Sequence, residues 1–185
     1  MKPVYAVLGS RCTFTVEAAR CYWGDGVDLL GLKSIPEVFE SVVQSGVSGG
    51  MVPVENSIAG RIPETEAGLR EFPVVVAGEI CLTIQHCLLS TKPLAIDRVN
   101  LVFSQAQVFA QCRRFLREHL PWVTLVAVAN TELAIQMARH AGENSAAVGS
   151  ALAADIYGMH VIAKGIQDSD SNVTRFVHIK PREPQ

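Results

Sequence analysis

Apolar runs that end at a helix-capping residue recur along this chain, and that junction limits the fold more than any other feature. Ser34-Ile35-Pro36-Glu37 has the form of a capping box with proline in the first turn. Ser104-Gln105-Ala106-Gln107 repeats it with glutamine in place of glutamate. Asn130 or Thr131 precedes a helical pattern, and Ser150 follows Gly149 at the end of an apolar run, with Gly158 placed to close that helix. Short strands that alternate with capped helices favour an α/β architecture. The pattern predicts strands at residues 4–8, 50–54, 74–84, 101–103, 124–128, 146–148, 161–163 and 175–179. It predicts helices at residues 15–22, 36–45, 105–119, 132–140 and 151–157. Each helix N-terminus offers free backbone N–H groups and the positive end of a dipole, which suits a carboxylate or phosphate.

The 185 residues, 49% of them hydrophobic, are enough for one domain or two small lobes. Only 18% are charged, the net charge is -2, and there is no Lys/Arg block, so disorder and a nucleic-acid partner are not expected. The first apolar run stops at Gly9 and the region 72–84 is broken by Glu79, so neither a signal peptide nor a membrane span is expected. These features predict a cytoplasmic protein. Cys12, Cys21, Cys81, Cys87 and Cys112 are odd in number and contain no Cys-x-x-Cys pair, which predicts reduced thiols, no disulfide framework and no metal site. His86 beside Cys87 is expected to cap or pack the strand before it. Dinucleotide, Walker-type and Gly-x-Ser-x-Gly motifs do not occur.

Polar residues gather at the ends of apolar runs, where α/β sheets place ligands. The first group is Glu55-Asn56-Ser57, which either presents polar side chains to a ligand or bonds its own turn. The second is Ser104, Gln107 and Gln111. The first two fit a cap, but Gln111 lies between Val108 and Phe115 and needs a partner if buried. The third runs from Gln167 to Phe176, without the glycine and closing glutamate of a calcium loop. In it, Thr174 reads equally as a β-branched strand residue and Arg175 as a surface ion pair. The residues alone therefore describe an α/β protein with a polar site friendly to anions and name no reaction.

Taken in order, these segments resemble the signatures of prephenate dehydratases over about residues 4–179. They are Val52-Pro53-Val54-Glu55-Asn56-Ser57, Gly78-Glu79, His86, Ser104 to Gln111-Cys112, Ala146 to Ser150, Tyr157-Gly158, and Asn172-Val173-Thr174-Arg175-Phe176. The resemblance implies a two-lobed α/β fold of the type 2 periplasmic-binding-protein kind, with the active site in the interlobe cleft. Residues 1–78 plus 162–185 would form lobe 1, and 79–161 lobe 2. It implies a lyase that converts prephenate to phenylpyruvate with loss of water and carbon dioxide in L-phenylalanine biosynthesis, without cofactor or metal.

The resemblance also assigns roles. Thr174 would assist departure of the ring hydroxyl, while Glu55, Asn56, Ser104 and Gln111 bind and orient the substrate. Thr13 and the helix termini at Asn130–Thr131 and Ser150 would hold carboxylates. Ser57, Asn172, Arg175 and Phe176 would complete the substrate-binding set. A homodimer or larger assembly is implied. No fused ACT-type regulatory domain is expected, so millimolar phenylalanine should leave activity unchanged. The chain departs from the family pattern at Gly9-Ser10-Arg11-Cys12-Thr13 (usually Gly-Pro-x-Gly-Thr) and at Gln105-Ala106 (usually His-Pro), and Arg61 adds charge. These departures leave open an altered substrate such as arogenate; a non-aromatising decarboxylase, whose relatives lack the Glu-Asn-Ser and Thr-Arg-Phe segments kept here, and a small-acid binding module are the competing functions.

Overall fold

The computed structural model describes residues 2–9, 11–44 and 46–182. Ser10 of the altered loop, Ser45 at a predicted helix end and residues 183–185 of the polar tail lie outside the described residues. From the N-terminus the chain forms β1 (Val4–Leu8), α1 (Phe14–Trp23), β2 (Asp28–Leu32), α2 (Ile35–Val43), β3 (Gly49–Asn56), β4 (Gly60–Arg61), α3 (Pro63–Glu71) and β5 (Val74–Thr83). It continues through β6 (Cys87–Ser90), β7 (Leu101–Ser104), α4 (Ala106–Gln111), α5 (Arg113–His119), β8 (Thr124–Ala127), α6 (Thr131–His140), β9 (Ser145–Gly149), α7 (Ala151–Tyr157) and β10 (His160–Lys164). The strand β11 (Val173–Pro181) ends the described chain.

Two units result: Met1–Ile84 with Ser171–Gln185, and Gln85–Asp170. Sequence placed the crossings at 78/79 and 161/162, which fall inside β5 and within β10. β5 pairs with β11 along its whole length, from Val74 opposite Pro181 to Thr83 opposite Val173. β10 pairs with β6 of the second sheet. Ladder hydrogen bonds thus keep each strand whole in its own unit.

In the first unit the sheet order is β2-β1-β3-β11-β5. β1 runs parallel to β2 and β3, and β11 runs antiparallel to β3 and β5. Val38, Phe39 and Val42 of α2 are fully buried in one core with Ala6, Val52, Val177 and Ile179. Each such side chain contributes about 1.5–3 kcal/mol by leaving water. Against β1 and β11, Trp23 of α1 stacks on Tyr5 at a 3.9 Å centroid distance and meets His178 edge-on. A Cβ at Gly78 would lie 2.1 Å from the Tyr22 hydroxyl oxygen, so a larger residue there would push the Tyr22 side chain aside.

In the second unit the order is β10-β6-β9-β7-β8. β7 is parallel to β8 and β9, while β6 is antiparallel to β9 and β10. Leu88, Val102, Leu116, Leu120, Val148 and Ile166 fill one core. α6 packs against β9 and β7, with Ala134, Ile135 and Ala138 buried.

The sequence pattern overlaps every strand and helix it names, with two corrections. The single helix expected over 105–119 is two, α4 and α5, broken at Cys112 (φ -119°, ψ 21°). The carbonyl of Gln111 accepts from the Asp168 N–H at 2.7 Å, and the Asp168 carboxylate accepts from the Arg114 N–H at 2.8 Å. A partner 54 residues away thus caps α5 in place of helix continuation. The second correction is at Ser104, which closes β7 rather than capping α4; Gln105 takes the N-cap position without a side-chain capping bond. The elements β2, β4, β6 and α3 were not anticipated. α3 carries Gly68 and few apolar residues, and the glycine is needed because a Cβ there would lie 2.4 Å from the Phe39 ring.

Candidate active site

Strand direction brings polar residues to one edge of each sheet. In the first unit the parallel strands β1 and β3 end at Leu8 and Asn56. The antiparallel β11 starts at the same edge, with Thr174 opposite Asn56. The C-terminal edge of parallel strands is where α/β sheets bind ligands.

At that edge Asn56 is a hub. Its Nδ2 donates to Asn172 Oδ1 at 2.7 Å and to Thr174 Oγ1 at 2.9 Å, with a longer approach to the Val173 carbonyl at 3.4 Å. Its Oδ1 accepts from the N–H groups of Ile58 at 3.0 Å and Ala59 at 2.9 Å. An amide has two N–H donors and one acceptor oxygen, so all of this capacity is used within the protein. Of the two readings of the Glu-Asn-Ser segment, Asn56 therefore fits the one in which it bonds its own turn, and it also holds Thr174.

Donation into Thr174 Oγ1 has a chemical consequence. The threonine oxygen serves as acceptor toward Asn56, so its own O–H is left to donate elsewhere, and the incoming N–H polarises it for that. The hydroxyl belongs to a buried residue at the sheet edge.

Three residues expected to contact substrate are committed to the scaffold. Ser57 Oγ donates to the Ser171 carbonyl at 2.6 Å and accepts from the Val173 N–H at 2.9 Å, pinning the segment before Thr174. Thr13 Oγ1 donates to the Leu8 carbonyl at 2.9 Å and accepts from the Val16 N–H as N-cap of α1. Phe176 is 2% exposed and belongs to the core. Asn172 is buried too, and its carboxamide oxygen takes the Asn56 bond.

Glu55 and Arg175 form the next pair on the same ladder, and successive pairs point to opposite faces. A bulge sits there, with the register slipping between Arg175 and Phe176. The Arg175 guanidinium donates to Glu79 at 3.2 Å and to Glu55 at 3.4 Å. The Glu79 bond, with Glu55 adding to it, holds the Arg175 pKa above its ordinary value. Glu55 thus parts from Asn56 and Thr174, with which sequence had grouped it. The reason is strand parity. Arg61 is likewise occupied, by Glu66 at 3.0 Å.

In the second unit β7, β8 and β9 run parallel, so Ser104, Asn130, Thr131 and Ser150 follow or close strands at one edge. Ser150 and Asn130 are the caps that sequence expected: Ser150 Oγ accepts from the Ala153 N–H at 3.1 Å and Asn130 Oδ1 from the Leu133 N–H at 2.8 Å. Thr131 is the first residue of α6. The altered Gln105 ties this edge together, donating to the Ala129 carbonyl at 3.1 Å. Ser104 is buried at the end of β7.

Gln111 finds the partner its setting demanded. Its Oε1 lies 2.8 Å from Nε2 of His86, a residue 3% exposed. Burial holds the His86 pKa below its ordinary value, against the opposing Gln111 bond, and a neutral ring in the Nε2–H tautomer would donate to this oxygen. The backbone N–H of His86 donates to Gln167 Oε1 at 3.0 Å. His86 and Gln167 are the residues whose place here sequence missed. The available signal was two polar side chains flanking apolar strands.

The family model described as prephenate dehydratase matches residues 5–184. A bifunctional chorismate mutase/prephenate dehydratase of Stutzerimonas stutzeri is 38% identical over 178 residues, 96% of this chain and 48% of that protein. The crystal structure of prephenate dehydratase from Staphylococcus aureus matches with a TM-score of 0.84 at 27% identity, covering 98% of this chain and 68% of that one. The methionine-binding protein MetQ matches with a TM-score of 0.50 at 11% identity, over 97% of this chain and 82% of that one, and shares the fold alone. This chain spans about half the length of the curated bifunctional relatives it matches.

Proposed function

This chain belongs to the prephenate dehydratase family, and from that premise we propose that it converts prephenate to phenylpyruvate. The observation that supports the reading is the bond from Asn56 to Thr174 Oγ1, which leaves the threonine O–H as a directed donor. Prephenate is a dianion whose ring becomes aromatic once its hydroxyl leaves. The C–O bond of that hydroxyl breaks as the ring carboxylate departs as carbon dioxide, its bonding pair entering the ring. One proton is taken up, and water and phenylpyruvate result. Thr174 donates a hydrogen bond to the leaving oxygen, and the proton comes from solvent, because a threonine hydroxyl is too weak an acid to surrender its own.

In this reading Asn56, Ser57 and Asn172 position Thr174, and the Glu55–Arg175–Glu79 ion pairs brace the strand. In the second unit, taken by itself, Gln111 and Ser104 offer polar groups suited to orienting a substrate. The N–H groups that start α6, after Asn130, and those beside Ser150 receive carboxylate oxygens. The chemistry asks for no cofactor. Among the described residues no helix is long and apolar enough to cross a membrane. We place the enzyme in the cytoplasm as a homodimer, which sedimentation checks.

Incubation with prephenate tests the function. Phenylpyruvate, identified by spectrum and mass, is the expected product. A non-aromatic diene would instead identify a decarboxylase. Tight binding without any product would identify a binding module, and preference for arogenate would change the substrate.

A further inference from the structure

We propose that His86 is a positioning residue that fixes which end of the Gln111 side-chain amide faces the ligand. The inference rests on the place given to Gln111 in the proposed function. His86 is held by its own main chain, whose N–H donates to Gln167 Oε1 at 3.0 Å and whose carbonyl accepts from the Ile166 N–H at 3.0 Å. Gln111 is held in the same way at the end of α4, its carbonyl accepting from the Asp168 N–H at 2.7 Å. With both backbones fixed, ring Nε2 and amide Oε1 stand 2.8 Å apart.

The polarity of that contact matters. A glutamine amide offers one acceptor oxygen and one NH2 group with two donors. Nε2–H donation engages the oxygen and leaves NH2 as the free end. An unheld amide can rotate about its last bond and set its carbonyl dipole against an anion, which repels it. In the Nε2–H tautomer assigned here, an amide flipped to face the ring with its own N–H would leave two donors opposed beside a buried histidine. His86 therefore makes Gln111 a donor-only contact, suited to a carboxylate or hydroxyl oxygen.

A double-mutant cycle on the full chain with prephenate as substrate tests this, together with NMR of glutamine side-chain amides. His86→Leu is expected to lower kcat/KM about tenfold, the weight of one oriented hydrogen bond. Gln111→Leu should cost at least as much, and the double variant no more than Gln111→Leu alone. His86→Gln, whose terminal N–H reaches the place of Nε2, should recover activity to within about threefold of the parent. Additive losses, or a folded His86→Gln as poor as His86→Leu, would overturn the proposal. NMR separates this from failure of the proposed function. The Gln111 NH2 resonances should be shifted from random-coil positions by the hydrogen bond on their carbonyl in the parent and in His86→Gln, and lose that shift in His86→Leu, whether or not prephenate is turned over. Resonances unchanged in His86→Leu would overturn the proposal on their own.

Discussion

Asn56 Nδ2 stands 2.9 Å from Thr174 Oγ1, joining residues 118 positions apart across neighbouring strands. The bond uses the acceptor side of the hydroxyl and leaves its proton for a ligand. Thr174→Val keeps the shape and removes the O–H. It is expected to lower kcat about 10²–10³-fold, as loss of one donor at a developing charge does, with little change in melting temperature. Steady-state kinetics on a variant with unchanged circular dichroism checks this, and near-normal turnover refutes the role.

Asn56→Ala should behave differently, because it removes bonds to Asn172, Thr174, Ile58 and Ala59 together. Stability should fall by about 2–3 kcal/mol, the weight of a lost network, and turnover should fall with it. Urea denaturation measures the first loss and the prephenate assay the second. A variant as stable as the parent would show that Asn56 is no hub.

His178 predicts an acid-sensitive fold. It is 4% exposed, sits against Tyr5, Tyr22 and Trp23, and its Nε2 has no hydrogen-bond partner among the described residues. Burial, with Lys180 adding to it, lowers its pKa to about 4. The unfolded chain therefore binds the proton first. This contribution to stability is intact above about pH 6.5 and is lost as the pH falls toward 4, by at most ~3 kcal/mol. Stability measured from pH 7.5 to 4 should decline less steeply in His178→Phe. Equal slopes would exclude His178 as the cause.

The thiols should divide by burial. Cys21 and Cys81 are exposed, while Cys12, Cys87 and Cys112 are buried. Burial, with Asp168 nearby, pushes the Cys112 thiol up to about 12, which removes its thiolate at neutral pH. Native alkylation with iodoacetamide, read by peptide mass, should label Cys21 and Cys81 alone. Rapid labelling of Cys112 would contradict the packing of the α4–α5 junction.

Sequence by itself determined the α/β class, because caps such as Ser34, Asn130 and Ser150 act within a few residues of themselves, where local pattern is sufficient. It also marked Thr174, Asn56 and Gln111 through the resemblance of their segments. What each residue does at the edge was decided by long-range pairing. The ladder between β3 and β11 turns Glu55 and Arg175 away from Asn56 and Thr174. Ser57 and Thr13 spend their hydroxyls on the scaffold, and Phe176 goes to the core. Asp168 breaks a helix that local propensity would have continued, and His86 gives Gln111 its orientation. A polar side chain acts through the partner it meets, and the long-range partners of Glu55, Ser57, Gln111 and Asp168 lie 25 to 120 positions away. Strand register sets those meetings, and a local reading of the chain does not contain it.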